Sequence, residues 1–155
     1  MLRLRPILSG GAIALVLSLT ATEPGLTNQC KPLKVVDGTG TSVRKKVSAA
    51  RPGLLSRTNW NTDFAVPNGA KFSRYIATLK ALSGNGKTFK VRVNLKYPNG
   101  TVDEVFNGSV LLASDQSDQF TGRPRVGSQP YQVNVVVGGI DAFNTAYQLS
   151  VMGCP

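Results

Sequence analysis

KTFKVRVNLKYPNG, residues 87–100, is the stretch that decides how this chain folds. Phe89, Val91, Val93, Leu95 and Tyr97 alternate with Lys90, Arg92, Asn94 and Lys96, a period of two that gives an extended strand one apolar and one polar face. That is the pattern of an antiparallel strand buried on one side only. The stretch ends in Asn99-Gly100, and Asn-Gly is the strongest short signal for a tight hairpin turn. Such pairs start at positions 68, 85, 99 and 107, and the sequence predicts a turn at each.

Outward from this strand the same period recurs. KFSRYIATLKAL, residues 71–82, places Tyr75, Ala77, Leu79 and Ala81 on one side and Arg74, Ile76, Thr78 and Lys80 on the other, a less clean separation that leaves room for a bulge at either end. Tyr131, Val133, Val135 and Val137 alternate with Gln132, Asn134 and Val136, and Tyr147, Leu149 and Val151 alternate with Gln148 and Ser150. Beyond the N-terminal apolar run no segment sustains the three-to-four residue period of a helix. The predicted class is all-β, an antiparallel β-sandwich or jelly roll of about seven to nine strands.

GSQPYQVNVVVGG followed by NTAYQLSVMG, within about residues 127–152, resembles the end of the bacterial pre-peptidase C-terminal domain. There a Tyr-x-Val-x-Val strand is followed by a Tyr-x-Leu-x-Val strand. The chain departs from that pattern where Ser128, Gln129 and Pro130 replace a glycine shortly before the first tyrosine. The resemblance implies a small secreted accessory β-sandwich without catalysis, and it carries over no active-site residue.

The N-terminus has the three-part plan of a secretory signal: Arg3 and Arg5, an apolar run from Ile7 to Leu19, then small residues at Ser18, Thr20, Ala21 and Thr22. The sequence predicts a signal peptide over residues 1–21, with the cut between 21 and 27, and a single mature domain over 28–155 whose first part, 31–57, is basic and loop-rich. The run is too short to span a bilayer comfortably, and nothing later acts as a second span. Loss of Arg3 and Arg5 lowers the formal charge from +10 to +8, so the mature domain stays strongly basic. Such a charge favours acidic polymers, anionic surfaces or acidic proteins, and it also aids solubility.

Export places the two cysteines, Cys30 and Cys154, in an oxidising compartment, where one intramolecular disulfide is the economical reading. It closes nearly the whole mature chain, and the loop-entropy relation assigns such a loop roughly 4 to 5 kcal/mol.

Several chemistries are excluded. Gly86-Lys87-Thr88 ends like a phosphate loop, yet Ala81 stands where the first glycine belongs and a strand rather than a helix follows, so the stretch is read as a hairpin turn. The chain has no histidine, which removes the commonest general base, the histidine-dependent triads and the commonest zinc ligand. No cofactor or metal is predicted. Asp103 and Glu104 are adjacent and point to opposite faces of a strand. Asp115 and Asp118 share a loop but lack the rest of a calcium-loop pattern, and DGTGTS from Asp37 reads as a glycine-rich turn. Asn99-Gly100-Thr101 and Asn107-Gly108-Ser109 are formal glycosylation acceptors that coincide with predicted turns.

The remaining feature is electrostatic. Lys90, Arg92 and Lys96 project from one strand face; if the turn at Gly84 to Gly86 makes a hairpin, Arg74 and Lys80 flank them, and Arg123 and Arg125 extend the patch or form a second one. Aromatics are not interleaved with these cations, which disfavours nucleic acid. The leading reading is a non-catalytic secreted or periplasmic binding or structural module. Its basic sheet face meets an acidic polysaccharide, an envelope component or an acidic protein. A second reading is a small exported hydrolase using carboxylates or a Ser-Lys pair, with Asp115, Asp118 or Asp141 converging on a lysine or serine. A third is self-assembly through an exposed edge strand into a surface layer or fibre.

Overall fold

The computed structural model describes residues 29–48 and 60–155. The predicted signal segment, and Arg51 and Arg57 of the basic region, lie outside them. The described residues contain ten strands: β1 (Lys31–Pro32), β2 (Lys34–Val35), β3 (Ser42–Lys46), β4 (Asn61–Ala65), β5 (Arg74–Ala81), β6 (Lys87–Lys96), β7 (Val102–Leu112), β8 (Ser117–Gly122), β9 (Gln132–Gly138) and β10 (Ala146–Cys154). The excess over the expected number comes from β1 and β2, two-residue pieces flanking the buried Leu33.

Two five-stranded antiparallel sheets face each other. The first runs β1-β10-β5-β8, with β3 also on β10; the second runs β2-β4-β9-β6-β7. The alternation read from the sequence sets the inner faces: Phe89, Val91, Val93 and Leu95 of β6 and Val133, Val135 and Val137 of β9 are buried, and across the core Tyr75, Ala77, Leu79 and Ala81 of β5 meet Tyr147, Leu149 and Val151 of β10. The described chain is therefore an all-β antiparallel sandwich, as the period of two requires.

The turn reading needs correction. From β4 onward the chain passes from one sheet to the other at every connection except β6–β7. The only Asn-Gly pair among the four that turns a hairpin is therefore Asn99-Gly100: Tyr97 N–H donates to Thr101 O at 2.9 Å, Gly100 sits at φ 81°, and Asn99 Oδ1 accepts from the Thr101 hydroxyl at 2.7 Å. Asn68-Gly69 and Asn85-Gly86 lie in connections between sheets. Asn107-Gly108 lies inside β7, paired with Arg92 and Val91. The Phe106 ring folds over the glycine, and a Cβ there would lie 2.9 Å from Phe106 Cζ, so the ring would have to shift to admit one. The bulge also falls elsewhere than expected. β5 pairs regularly, whereas Val105 is the extra residue of β7 opposite the Val93/Asn94 step of β6.

Cys30 and Cys154 form the predicted disulfide, with Cα atoms 4.1 Å apart. It ties the first described residues to the end of β10.

Candidate binding face

The outer face of the second sheet carries the polar half of each alternation. Read across β4, β9, β6 and β7, one row is Asn61, Val136, Arg92 and Asn107, and the next is Asp63, Asn134, Asn94 and Glu104. Gly138, Lys90 and Ser109 make the row beyond Arg92.

The second of these rows is internally satisfied. Asn94 donates to Asn134 Oδ1 at 3.1 Å, Asn134 donates to Asp63 Oδ1 at 2.7 Å, and Lys96 donates to the same oxygen at 3.1 Å. Burial pushes the Asp63 carboxyl up, but the hydrogen bonds from Asn134, Lys96 and Gln132 and the Lys96 charge outweigh it, leaving the group below its ordinary 3.8. Its ionised form therefore stabilises the fold above that value, and the contribution is lost as pH falls through the lowered one. Asp63→Ala is expected to cost about 1–2 kcal/mol at neutral pH, because it strands the Lys96 and Asn134 donors. Asp63→Asn is expected to flatten the acid limb of stability against pH. Urea unfolding between pH 2 and 7 checks both, and an unchanged acid limb in Asp63→Asn would refute the assignment.

Lys45, reaching over from β3, donates to Asn61 O at 2.8 Å. Burial lowers its pKa, and Asp63 partly offsets that.

Next to this network lies a groove of about 380 Å³, within the range of ligand sites. Its lining combines the apolar Trp60, Val136 and Ile140, the polar Lys90, Arg92 and Asn107, and Gly138-Gly139. Trp60 immediately precedes β4, and its carbonyl accepts from Val137 N–H at 3.0 Å. Its indole N–H donates to Ser48 O at 2.8 Å. The ring lies across the bare Cα of Gly138, where a Cβ would come within 3.1 Å of both Cδ2 and Cε3. Side chain, backbone and glycine together hold the indole in place.

The predicted cations are not one patch. Lys90, Arg92 and Lys96 share the outer face of β6 as expected. Arg74 and Lys80 do not flank them: β5 belongs to the first sheet, so these side chains lie on the opposite outside of the sandwich. The expected hairpin is impossible because β10 and β8 occupy both edges of β5, and β9 and β7 both edges of β6. Lys80 pairs with Asp115 at 3.1 Å.

Arg125 does not extend the face either. Its guanidinium grips Asp103 through two donors, bonds Thr101 Oγ1 at 2.8 Å and stacks 4.3 Å from the Tyr97 ring centroid, pinning the β8–β9 connection to the β6–β7 hairpin. That role is structural. Arg123, exposed after β8, lies outside the groove.

The three cations of β6 also differ. Lys96 is held by Asp63, and Arg92 has only a loose 3.9 Å contact with Glu104. Among the described residues no carboxylate lies within ion-pair distance of Lys90.

The carboxylates of the hydrolase reading do not converge. Asp115 sits in the β7–β8 turn, its side chain 78% exposed beside Lys80; Asp118 on β8 accepts from Gln119 N–H at 2.8 Å; and Asp141 is exposed in the β9–β10 connection. Among the described residues no three His, Cys, Asp or Glu side chains gather as a metal site.

Sequence reasoning missed Trp60. Its signal was present, as the single tryptophan of the chain and a Gly-Gly pair ending a predicted strand, but nothing in the spacing says that the two meet.

No family model and no curated protein matches this chain significantly. Similar solved structures include a CBM4 domain at 15% identity, covering 81% of this chain and 90% of that one with a TM-score of 0.37. The CBM22-1 xylan-binding domain of Paenibacillus barcinonensis Xyn10C gives 13% identity, 80% and 95% coverage and a TM-score of 0.34. The N-terminal cellulose-binding domain of Cellulomonas fimi β-1,4-glucanase C gives 17%, 73%, 85% and 0.32. Likeness at this level assigns neither fold nor ligand, and the fold rests on the strand register itself.

Proposed function

We propose that this chain is an exported, non-catalytic binding module that holds an acidic polymer against the outer face of its second sheet. The observation that carries the reading is the groove beside Lys90 and Arg92. Among the described residues Lys90 has no carboxylate within ion-pair distance and Arg92 has only its 3.9 Å contact with Glu104, while Trp60, Val136 and Ile140 line the same groove. A cation with no internal partner, or only a loose one, is available for charge-assisted hydrogen bonds to anionic groups of a ligand. Lys96 and Arg125, already engaged by Asp63 and Asp103, contribute little to such binding. The disulfide suits an oxidising compartment, and the resemblance of residues 127–152 to an accessory domain suits a role without catalysis.

The test is affinity electrophoresis of the folded domain in gels carrying polygalacturonate, dextran sulfate or polyglutamate, at low and high salt. Retardation by polyanion is expected to vanish at high salt. The double variant Lys90→Glu/Arg92→Glu is expected to weaken binding by about tenfold or more. Arg74→Glu/Lys80→Glu, on the opposite face, is expected to stay within about twofold of the unmodified protein. Equal losses in the two double variants would mean that net charge, not this face, attracts the polymer.

A further inference from the structure

Resting on that reading, we infer that the polymer is a glycan with acidic sugar residues, one of which stacks on Trp60 while its anionic substituent reaches Lys90 and Arg92. The first argument is what the groove cannot do. A peptide is most readily held by adding its backbone to an open strand edge. β9 is paired on both sides, by β4 and β6, and β6 on both sides, by β9 and β7, so the groove floor offers no free ladder. A ligand there must be read by side chains and by one ring.

The second argument is the ring. A pyranose has a flat face of C–H bonds and a rim of hydroxyls. The C–H hydrogens carry partial positive charge and suit the electron-rich face of an indole. Trp60 is fixed before any ligand arrives, by Ser48 and by the glycine beneath it, so little side-chain entropy remains to be lost on binding. Val136 and Ile140 add further apolar lining. The rest of the lining provides what the rim needs: the carboxamide of Asn107, which also donates to Glu104 Oε1 at 3.0 Å, for hydroxyls, and two cations for a carboxylate or sulfate. The charged groups around the groove are Lys90, Arg92 and Glu104, with the Asp63–Lys96 pair one row further along. A neutral glycan leaves Lys90 unanswered, and a polyanion without rings leaves Trp60 unused.

The chain's single tryptophan makes this readable without a label. Polygalacturonate, dextran sulfate, polyglutamate and an uncharged β-glucan are titrated into the folded protein while tryptophan emission and binding heat are followed. Polygalacturonate or dextran sulfate is expected to bind and change the emission, their ratio distinguishing carboxylate from sulfate. Polyglutamate is expected to bind more weakly and leave the emission unchanged. Trp60→Ala, checked for folding by circular dichroism, is expected to lose about tenfold in glycan affinity and little in polyglutamate affinity. If Trp60→Ala fails to fold, the emission change in the unmodified protein still decides. Polyglutamate binding as tightly as the glycans, with no emission change for any, overturns the glycan inference and leaves the polyanion reading standing. Equal affinity for the uncharged glucan, unaffected by Lys90→Glu, overturns the acidic part. No binding to any polyanion at low salt removes the underlying reading itself.

Discussion

Replacing Cys30 and Cys154 together by serine is expected to lower the unfolding free energy by about 5 kcal/mol. The cysteines are 124 residues apart in sequence, so the bond removes the closure entropy of almost the whole folded chain from the unfolded state. In the folded state it also anchors β1, whose Lys31 and Pro32 pair with Gly153 and Met152, and so positions Leu33 in the core between the sheets. The loss is a large share of a typical domain's stability of about 5–15 kcal/mol. Urea unfolding of the double variant and of the oxidised protein measures it as a shift in midpoint. A difference under about 1 kcal/mol would show that the loop is already restrained in the unfolded chain.

The second large effect is expected from Phe89→Ala, at about 3–5 kcal/mol. Phe89 opens the inward series of β6, is fully buried, and meets Tyr147 of the opposite sheet edge to face with ring centroids 6.3 Å apart. Truncation removes apolar area and leaves a cavity bounded by strands that are hydrogen-bonded on both sides and cannot collapse into it. A double-mutant cycle with Tyr147→Leu is expected to yield a coupling of about 0.5–1.5 kcal/mol for the aromatic pair. Thermal or urea unfolding of the four proteins provides it. A loss below about 1.5 kcal/mol for Phe89→Ala would mean that the sandwich repacks around the site.

The alternation of β6 made the fold legible, because a period of two is set by strand geometry whatever lies on either side. The same is true of β9 and β10. Pairing was not legible. Asn-Gly reports that the backbone can turn, as at Asn99-Gly100, but not whether the strand it leads into lies in the same sheet. Asn85-Gly86 carries the chain across the core. Asn107-Gly108 makes no turn: both pair with β6 from within β7, the glycine under the Phe106 ring and the asparagine facing outward beside Arg92. This one ambiguity misplaced Arg74 and Lys80, since their position depended on a hairpin between β5 and β6.

The site was legible only in part. Lys90 and Arg92 follow from the polar half of the alternation. That Lys96 and Arg125 are already engaged follows from Asp63 and Asp103, which lie 33 and 22 positions away in sequence. Trp60 was hidden for the same reason: its contact with Gly138 arises from β4 lying beside β9, a long-range pairing that no local pattern announces.

The bond between Cys30 and Cys154 also has a mechanical meaning. A tensile load entering at one flank and leaving at the other crosses a single covalent link, and the strands between carry none of it. A module so clasped resists being pulled open from its two ends for as long as that sulfur link remains unreduced.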